Sequence, residues 1–177
     1  MANFFKGTAK FFIYLAVLSP LILTRGLFFP FITGKALLFR TSVELALIFF
    51  VLYLIQTKTL NKRIFTNGIF ISVLVFALIF LFTSLIGISP YNSFWSNFER
   101  SEGIFQLLHY IIFFALTATL FNSKTEWRRL LLFTLAVSFL VSLYGLGQWM
   151  ELQTGDSNFK YTINTGGRSS GTLGNPS

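Results

Sequence analysis

The chain has 177 residues, of which 54% are hydrophobic and only 11% are charged, and its formal net charge is +8. A soluble domain usually carries about a quarter charged residues, so this composition predicts a protein whose apolar surface is covered partly by lipid. The absence of Cys and the single His exclude disulfides, thiol nucleophiles and a Cys- or His-rich metal site within the chain.

The basic residues lie in short clusters between apolar runs, not along one helix face. Clusters of this kind set the topology of membrane proteins, so the positive charge is interpreted as a topology signal and no nucleic-acid partner is expected. The sequence therefore predicts an all-α fold, a polytopic transmembrane helix bundle with about five spans in contact with the lipid bilayer.

The predicted spans, in chain order, are 11–23, 41–55, 68–88, 104–121 and 130–149. No small-residue cleavage site follows the first span, so it is interpreted as an uncleaved span and not as a signal peptide. Residues 24–40 are predicted to form an interfacial loop, because Pro30 and Gly34 interrupt a helix. Residues 89–103 are predicted to form a second, polar loop. The two resulting regions are 1–150, the transmembrane helices, and 151–177, a polar and Gly-rich external loop.

The connections after the second and fourth predicted spans are short and basic. Their basic residues are Lys58, Lys62, Arg63, Lys124, Arg128 and Arg129. Such loops carry most weight in the positive-inside rule, so the N-terminus is predicted to be cytoplasmic. The loops 24–40, 89–103 and 151–177 are then expected to face outward.

Two ionisable residues fall inside predicted spans. Glu44 follows Arg40 by four residues, a spacing that places both on one helix face and predicts a structural ion pair. His109 is expected to make a hydrogen bond between helices, and a functional role is the alternative, since ionisable groups inside membranes often mark sites.

Three outward arginines, Arg25, Arg100 and Arg168, are candidates for binding an anion, because a guanidinium offers paired, planar donors to a phosphate. Arg168 lies in GGRSSGTLGNP, a segment whose backbone can approach a ligand closely and whose N–H groups can cradle phosphate. A solvated Arg in a flexible loop is the alternative. For Arg100 the alternative is a salt bridge to Glu99 or Glu102.

Four segments resemble, in the same order, bacterial O-antigen ligase-like and polymerase-like membrane proteins. They read TRGLFFPFITGKALLFRTSVELALIFFVLYL, GISPYNSFWSNFERSEGIFQLLHYIIFF, YGLGQW and GRSSGTLGNP. The most specific parts are SFWSNFERSEG ahead of a His-bearing span, and R-x-x-G-T-x-G-N-P. The resemblance extends over nearly the whole chain from Thr24 onward.

The resemblance implies a glycosyltransferase of the bacterial inner membrane that serves lipopolysaccharide or other polysaccharide biosynthesis in the cell envelope. Such proteins move a glycan from undecaprenyl diphosphate to an acceptor glycolipid, polysaccharide or protein, with no metal and no cofactor. By this resemblance Arg168 binds the diphosphate, and Arg100 matches more loosely a second basic contact.

The resemblance also implies that the catalytic residues lie outside this chain. In that family a His in a large external loop further along assists the acceptor hydroxyl, and His109 does not correspond to it. Ser177 stands where the family often has Asn. The chain is therefore expected to be the N-terminal part of a longer protein, with 151–177 leading into the ligase/polymerase core, and to be inactive alone.

Two other functions remain open at this point. One is a transporter or channel subunit with an ion path through Arg40, Glu44 and His109, for which loss of flux in Glu44→Gln would be evidence. The other is a non-catalytic membrane scaffold. Loss of glycan transfer in Arg100→Ala and Arg168→Ala, with normal membrane insertion, would support the enzyme, and unchanged transfer would remove these two arginines from the site.

Overall fold

The computed structural model describes residues 1–24, 31–60, 62–96, 102–154 and Thr172. Within these ranges the fold is all-α, as predicted, and contains no strand. The α-helices are α1 (Ala2–Val17), α2 (Thr33–Thr57), α3 (Gly68–Ile86), α4 (Pro90–Trp95), α5 (Ile104–Leu120) and α6 (Lys124–Thr154). Short 3₁₀ turns cover Ser19–Leu21 and Lys62–Thr66.

Four of the described helices are long and apolar enough to cross a membrane. They are α1 with its following turn, α2, α3 and α6. The apolar α5 is shorter, with 17 residues, or about 26 Å at the usual helical rise. The prediction of about five membrane helices is therefore confirmed. On α3 no residue is buried, and side chains such as Phe82 (65% exposed) and Ile86 (68%) present the apolar surface that lipid covers.

Three helices, α1, α2 and α6, begin earlier than their apolar runs predict. The first begins at Ala2 and not at residue 11, because no proline separates the polar N-terminal residues from the apolar ones and the single Gly7 weakens the helix without ending it. The last begins at Lys124 and not at residue 130. Ser123 caps it by accepting a hydrogen bond from the Glu126 amide (3.2 Å), and the Glu126 carboxylate accepts one from the Asn122 amide (3.0 Å). This reciprocal arrangement resembles a capping box.

The prediction of a loop over 24–40 is wrong from Thr33 onward, where α2 begins. Gly34, predicted to break the helix, lies in its first turn. A Cβ on Gly34 would lie 2.5 Å from Cγ2 of Thr24, so this glycine permits close approach of the preceding chain. Pro30 lies outside the described residues.

The predicted polar loop 89–103 contains the short helix α4. Pro90 occupies its first turn, a position that proline favours, and Ser96 ends it with a φ of 60°. The helix packs against the start of α5, where Trp95 and Phe105 have ring centroids 5.1 Å apart.

The buried core is formed mainly by α1, α2 and α5. Its buried members include Ile13, Val43, Ala46, Leu116 and Leu120. Small residues at such interfaces let the helix backbones approach closely, which is how membrane helices gain packing contacts. The helices α3 and α6 lie at the periphery, so the α1–α2–α5 core positions the site described below.

The helices alternate in direction, which defines two ends of the bundle. At one end an ion pair between Lys10 and Glu126 joins α1 to the start of α6, and Lys6 lies over the Tyr53 ring near the end of α2 (5.9 Å). At the other end, which we call the loop end, α1 and α6 finish and α2 and α5 begin. The predicted outward loops all emerge there.

Candidate functional site

A cavity of about 480 Å³ opens at the loop end, between the end of α1 and the first turns of α2 and α5. Its walls are mostly apolar. The main lining side chains are Phe31, Ile32, Phe39, Tyr110 and Phe113, with Lys35, Glu102 and Gln106 as the polar members.

Helical spacing explains why these side chains share one cavity. Lys35 and Phe39 are four residues apart on α2, and Gln106, Tyr110 and Phe113 follow one another at intervals of four and three on α5. Residues at these intervals lie on one helix face. Each helix therefore presents a combined polar and aromatic face to the cavity.

A buried polar contact ties α2 to α5 beside the cavity. Nε of Arg40 donates to Oε1 of Gln106 at 2.5 Å, and Gln106 is buried. The Arg40 guanidinium also lies 5.1 Å from the centre of the Phe105 ring, a distance at which the ring quadrupole attracts a cation. Hydrogen bonds with a charged donor are stronger than neutral ones, so this contact helps to fix the relative position of the two helices.

Thr172 is the described residue of the Gly-rich tail, and it contacts a side chain that lines the same cavity. Nζ of Lys35 donates to the backbone carbonyl of Thr172, which is 4% exposed. Thr172 lies in GGRSSGTLGNP, four residues after Arg168. The structure thus brings a residue of the segment predicted to bind phosphate against a lysine that lines the cavity.

The three predicted anion-binding arginines, Arg25, Arg100 and Arg168, lie outside the described residues. Their roles stay predictions. The described residues Thr24 and Glu102, close to the first two in sequence, lie at the loop end, as Thr172 does.

Sequence reasoning did not identify Lys35 or Gln106 as site residues. Pro30 and Gly34 favour a loop around Lys35, and such a loop hides the helical spacing of Lys35 to Phe39. The Gln106 contact joins two helices, and nothing within one helix predicts it.

The predicted hydrogen bond of His109 between helices is confirmed. Its Nε2 lies 3.0 Å from Oε1 of Glu44, and its Nδ1 lies 2.7 Å from the carbonyl oxygen of Phe105. Because a carbonyl oxygen only accepts, Nδ1 carries a hydrogen. The Nε2–Oε1 contact then needs one proton, held by the imidazole or by the carboxyl group.

The predicted pairing of Glu44 with Arg40 is found only as an attraction between their two charges, and no direct ion pair joins them among the described residues. Within the described part of the chain, Glu44 hydrogen-bonds to His109, and Arg40 donates to Gln106. Both partners come from α5, because the packing of that helix against α2 brings polar groups into reach of each side chain.

We expect Glu44 and His109 to be energetically coupled. In a double-mutant cycle with Glu44→Leu and His109→Leu, the coupling should be about 0.6–1.7 kcal/mol, the range measured for hydrogen bonds between membrane helices. Reversible unfolding of the chain in lipid–detergent micelles measures it. If the stability losses of the two single variants add up to that of the double variant within about 0.3 kcal/mol, the result would contradict the hydrogen bond between Glu44 and His109.

Comparisons with known proteins found no matching family model, no similar curated protein and no similar solved structure. The assignment that stands is an all-α membrane protein, with four to five helices able to span a bilayer and an amphipathic cavity at its loop end.

Proposed function

We propose that this chain forms part of an O-antigen ligase-like glycosyltransferase of the bacterial inner membrane. Such an enzyme moves a glycan from undecaprenyl diphosphate to an acceptor hydroxyl at the outer face. The observation that carries the proposal is the contact between Lys35 and Thr172, at a cavity with apolar walls. Thr172 belongs to the segment that resembles the entry to the ligase core. Lys35 is a cation beside an apolar groove, and the contact joins the two.

The chemistry of the cavity suits a polyprenyl diphosphate. Such a lipid has a long apolar chain and a compact anionic head, so it needs an apolar groove with positive charge at its rim. Phe31, Phe39 and Phe113 provide aromatic walls. Lys35 adds an ammonium group on a flexible apolar stem, which can lie along such walls while its charge meets a phosphate.

The distribution of charge supports an outward-facing cavity. The short connections rich in Lys and Arg lie at the end opposite the loop end. Under the positive-inside rule that end is cytoplasmic, which gives a cytoplasmic N-terminus and puts the cavity at the outer membrane surface. This is the face at which the proposed donor lipid presents its glycan.

The proposed reaction breaks the bond between the anomeric carbon of the glycan and a diphosphate oxygen. The electron pair leaves with the diphosphate, the acceptor oxygen bonds to the anomeric carbon, and the acceptor proton passes to a base. Fixed cations in a site of low dielectric stabilise the negative charge that develops on the leaving group. We assign that task to Lys35, Arg168 and Arg100. By the resemblance, the base is a His in an external loop further along the protein. We do not assign this role to His109, because its two ring nitrogens contact Glu44 and the Phe105 carbonyl.

Replacing Lys35 tests this assignment. We expect Lys35→Met to weaken binding of undecaprenyl diphosphate by about ten- to hundredfold, since a hydrogen bond to a charged group contributes about 1.5–3 kcal/mol. Binding is measured with the full chain in phosphatidylcholine vesicles, and undecaprenol without phosphate serves as the ligand control.

The matched variant is Lys6→Met. Lys6 lines a separate cavity, together with Tyr53 and Asn122 at the opposite end of the bundle, and its loss should leave binding unchanged. If both variants weaken lipid binding equally, or if neither weakens it, the result would argue against a diphosphate at the Lys35 cavity.

A transporter is the second candidate, and the hydrogen-bonded Glu44 and His109 favour it. Ionisable groups inside a membrane often lie on ion paths. Loss of ion or solute flux in Glu44→Gln, together with unchanged lipid binding in Lys35→Met, would favour the transporter over the glycosyltransferase. No flux and no diphosphate binding would favour a scaffold.

A further inference from the structure

The exposed side of α2 carries a regular stripe of residues. Starting at Leu37, its members follow one another at alternating intervals of four and three residues: Leu37, Thr41, Glu44, Ile48, Val51 and Ile55. All are exposed, Leu37 and Ile55 by more than 60%. We call these six residues the α2 seam. The opposite side of the helix, with Ser42, Val43 and Ala46, is buried in the core.

The spacing of the α2 seam is that of a helix–helix interface. Alternating intervals of three and four average 3.5 residues, the repeat at which one helix keeps a continuous line of contact with another in a left-handed pair. Apolar residues alone would not require a protein partner, because lipid tails cover them equally well.

Glu44 is the member of the seam that lipid cannot satisfy. It is the twelfth of the 25 residues of α2, about 17 Å along the helix and so close to its middle. Its Oε1 contacts His109 and the charge of Arg40, one turn earlier, attracts it, yet the side chain remains 54% exposed. The other polar member, Thr41, has its hydroxyl bonded to the Leu37 carbonyl within its own helix (2.8 Å).

A carboxyl group exposed near the middle of a membrane is costly and normally pairs with another polar group. Two copies of this chain that met symmetrically through the seam would bring two Glu44 carboxyl groups together, and like charges oppose such contact. A helix that presents a cationic donor supplies the complementary charge. One polar position within an apolar seam also fixes the register of the two helices.

We propose that the α2 seam binds a transmembrane helix from outside this chain, and that this helix presents an Arg or Lys to Glu44 near the middle of the membrane. The cation donates to the carboxylate of Glu44, and the apolar members of the seam pack against the partner on either side of this contact. The proposal is independent of glycan transfer.

The test uses the full chain in phosphatidylcholine vesicles and designed transmembrane peptides. Because the chain has no Cys, a Thr59→Cys variant accepts one fluorophore near the end of α2. The probes are a labelled polyleucine helix with one central Arg and the same helix without it. Energy transfer should show the Arg peptide associating about tenfold more strongly than the leucine peptide. Glu44→Leu should abolish that difference.

A third peptide tests whether the Arg peptide binds at Glu44 or is attracted to the protein nonspecifically. It uses the unaltered protein. The Arg of this peptide is moved by seven residues toward one end of the helix, about 10 Å along the axis, and it should bind as weakly as the leucine peptide. The proposal is overturned if the Arg peptide gains nothing over the leucine peptide, if the shifted peptide binds as well, or if the gain survives in Glu44→Leu. Association of two labelled copies through the seam would also overturn it, in favour of a homodimer.

Discussion

Arg168→Ala is expected to weaken the binding of undecaprenyl diphosphate by about ten- to hundredfold, the loss that follows from removing a hydrogen bond to a charged group. Arg168 lies four residues before Thr172, which meets Lys35 at the cavity. A guanidinium binds a phosphate through two parallel hydrogen bonds. Arg168→Lys keeps the charge but not this geometry, so it should recover only part of the affinity. The measurement is equilibrium binding to the full chain in vesicles.

The matched control for Arg168→Ala is Arg129→Ala. It makes the same change of residue and charge at an exposed position near the start of α6, at the opposite end of the bundle, and should leave binding intact. Arg100→Ala is expected to have the smaller effect, because its neighbours in sequence, Glu99 and Glu102, are predicted to compete with a phosphate for the guanidinium. Normal binding by Arg168→Ala would remove Arg168 from the site.

Gly103→Ala is expected to destabilise the fold by about 1–3 kcal/mol, the usual cost of forcing an extra carbon into a packed region. A Cβ at Gly103 would lie 2.4 Å from the carbonyl oxygen of Phe94 and 2.5 Å from that of Ser93. Both atoms belong to the backbone of α4, so no side-chain rotation relieves the clash. The start of α5 must move away from α4.

Two readouts measure this effect. The first is the unfolding midpoint in detergent. The second is the fluorescence of Trp95, measured with Trp127 and Trp149 replaced by Phe in both variants. Trp95 packs against Phe105 and should become more exposed. Gly7→Ala is the control: a Cβ there meets no atom within 4 Å, and the higher helix propensity of Ala should stabilise α1 by about 0.5–1 kcal/mol. Equal stability of the two variants would contradict the packing of α4 on α5.

The membrane helices were predictable because their main signal is local. A continuous apolar run of sufficient length has few interpretations. The middles of the later predicted spans agree with the structure, whereas the first, 11–23, is centred at Val17, where α1 ends. Helix ends were predicted less well, since a helix continues through polar residues until something stops it. The start of α6 was readable from the Ser123 and Glu126 spacing. The role of Gly34 could not be predicted from the sequence, because it depends on the close approach of Thr24, which precedes the turn into α2.

The cavity could not be predicted, for a related reason. Its polar contacts join residues far apart in the chain: Lys35 meets Thr172 across 137 positions, and Arg40 meets Gln106 across 66. Each pair depends on how whole helices pack. The same packing gives Glu44 a hydrogen bond to His109, which its spacing to Arg40 could not predict. The resemblance in sequence predicts a role for the segment that contains Thr172. The contact of Thr172 with Lys35 can be found only in the three-dimensional structure.

Photo-crosslinking tests the central proposal most directly. An undecaprenyl diphosphate analogue with a diazirine near its head group is bound to the full chain in vesicles, irradiated, and its attachment sites are mapped by mass spectrometry. The proposed site predicts attachment within 31–39 and 102–113, suppressed by unlabelled undecaprenyl diphosphate and not by undecaprenol. Attachment spread over the lipid-facing residues of α3, or unaffected by the competitor, would show that the cavity does not hold this lipid.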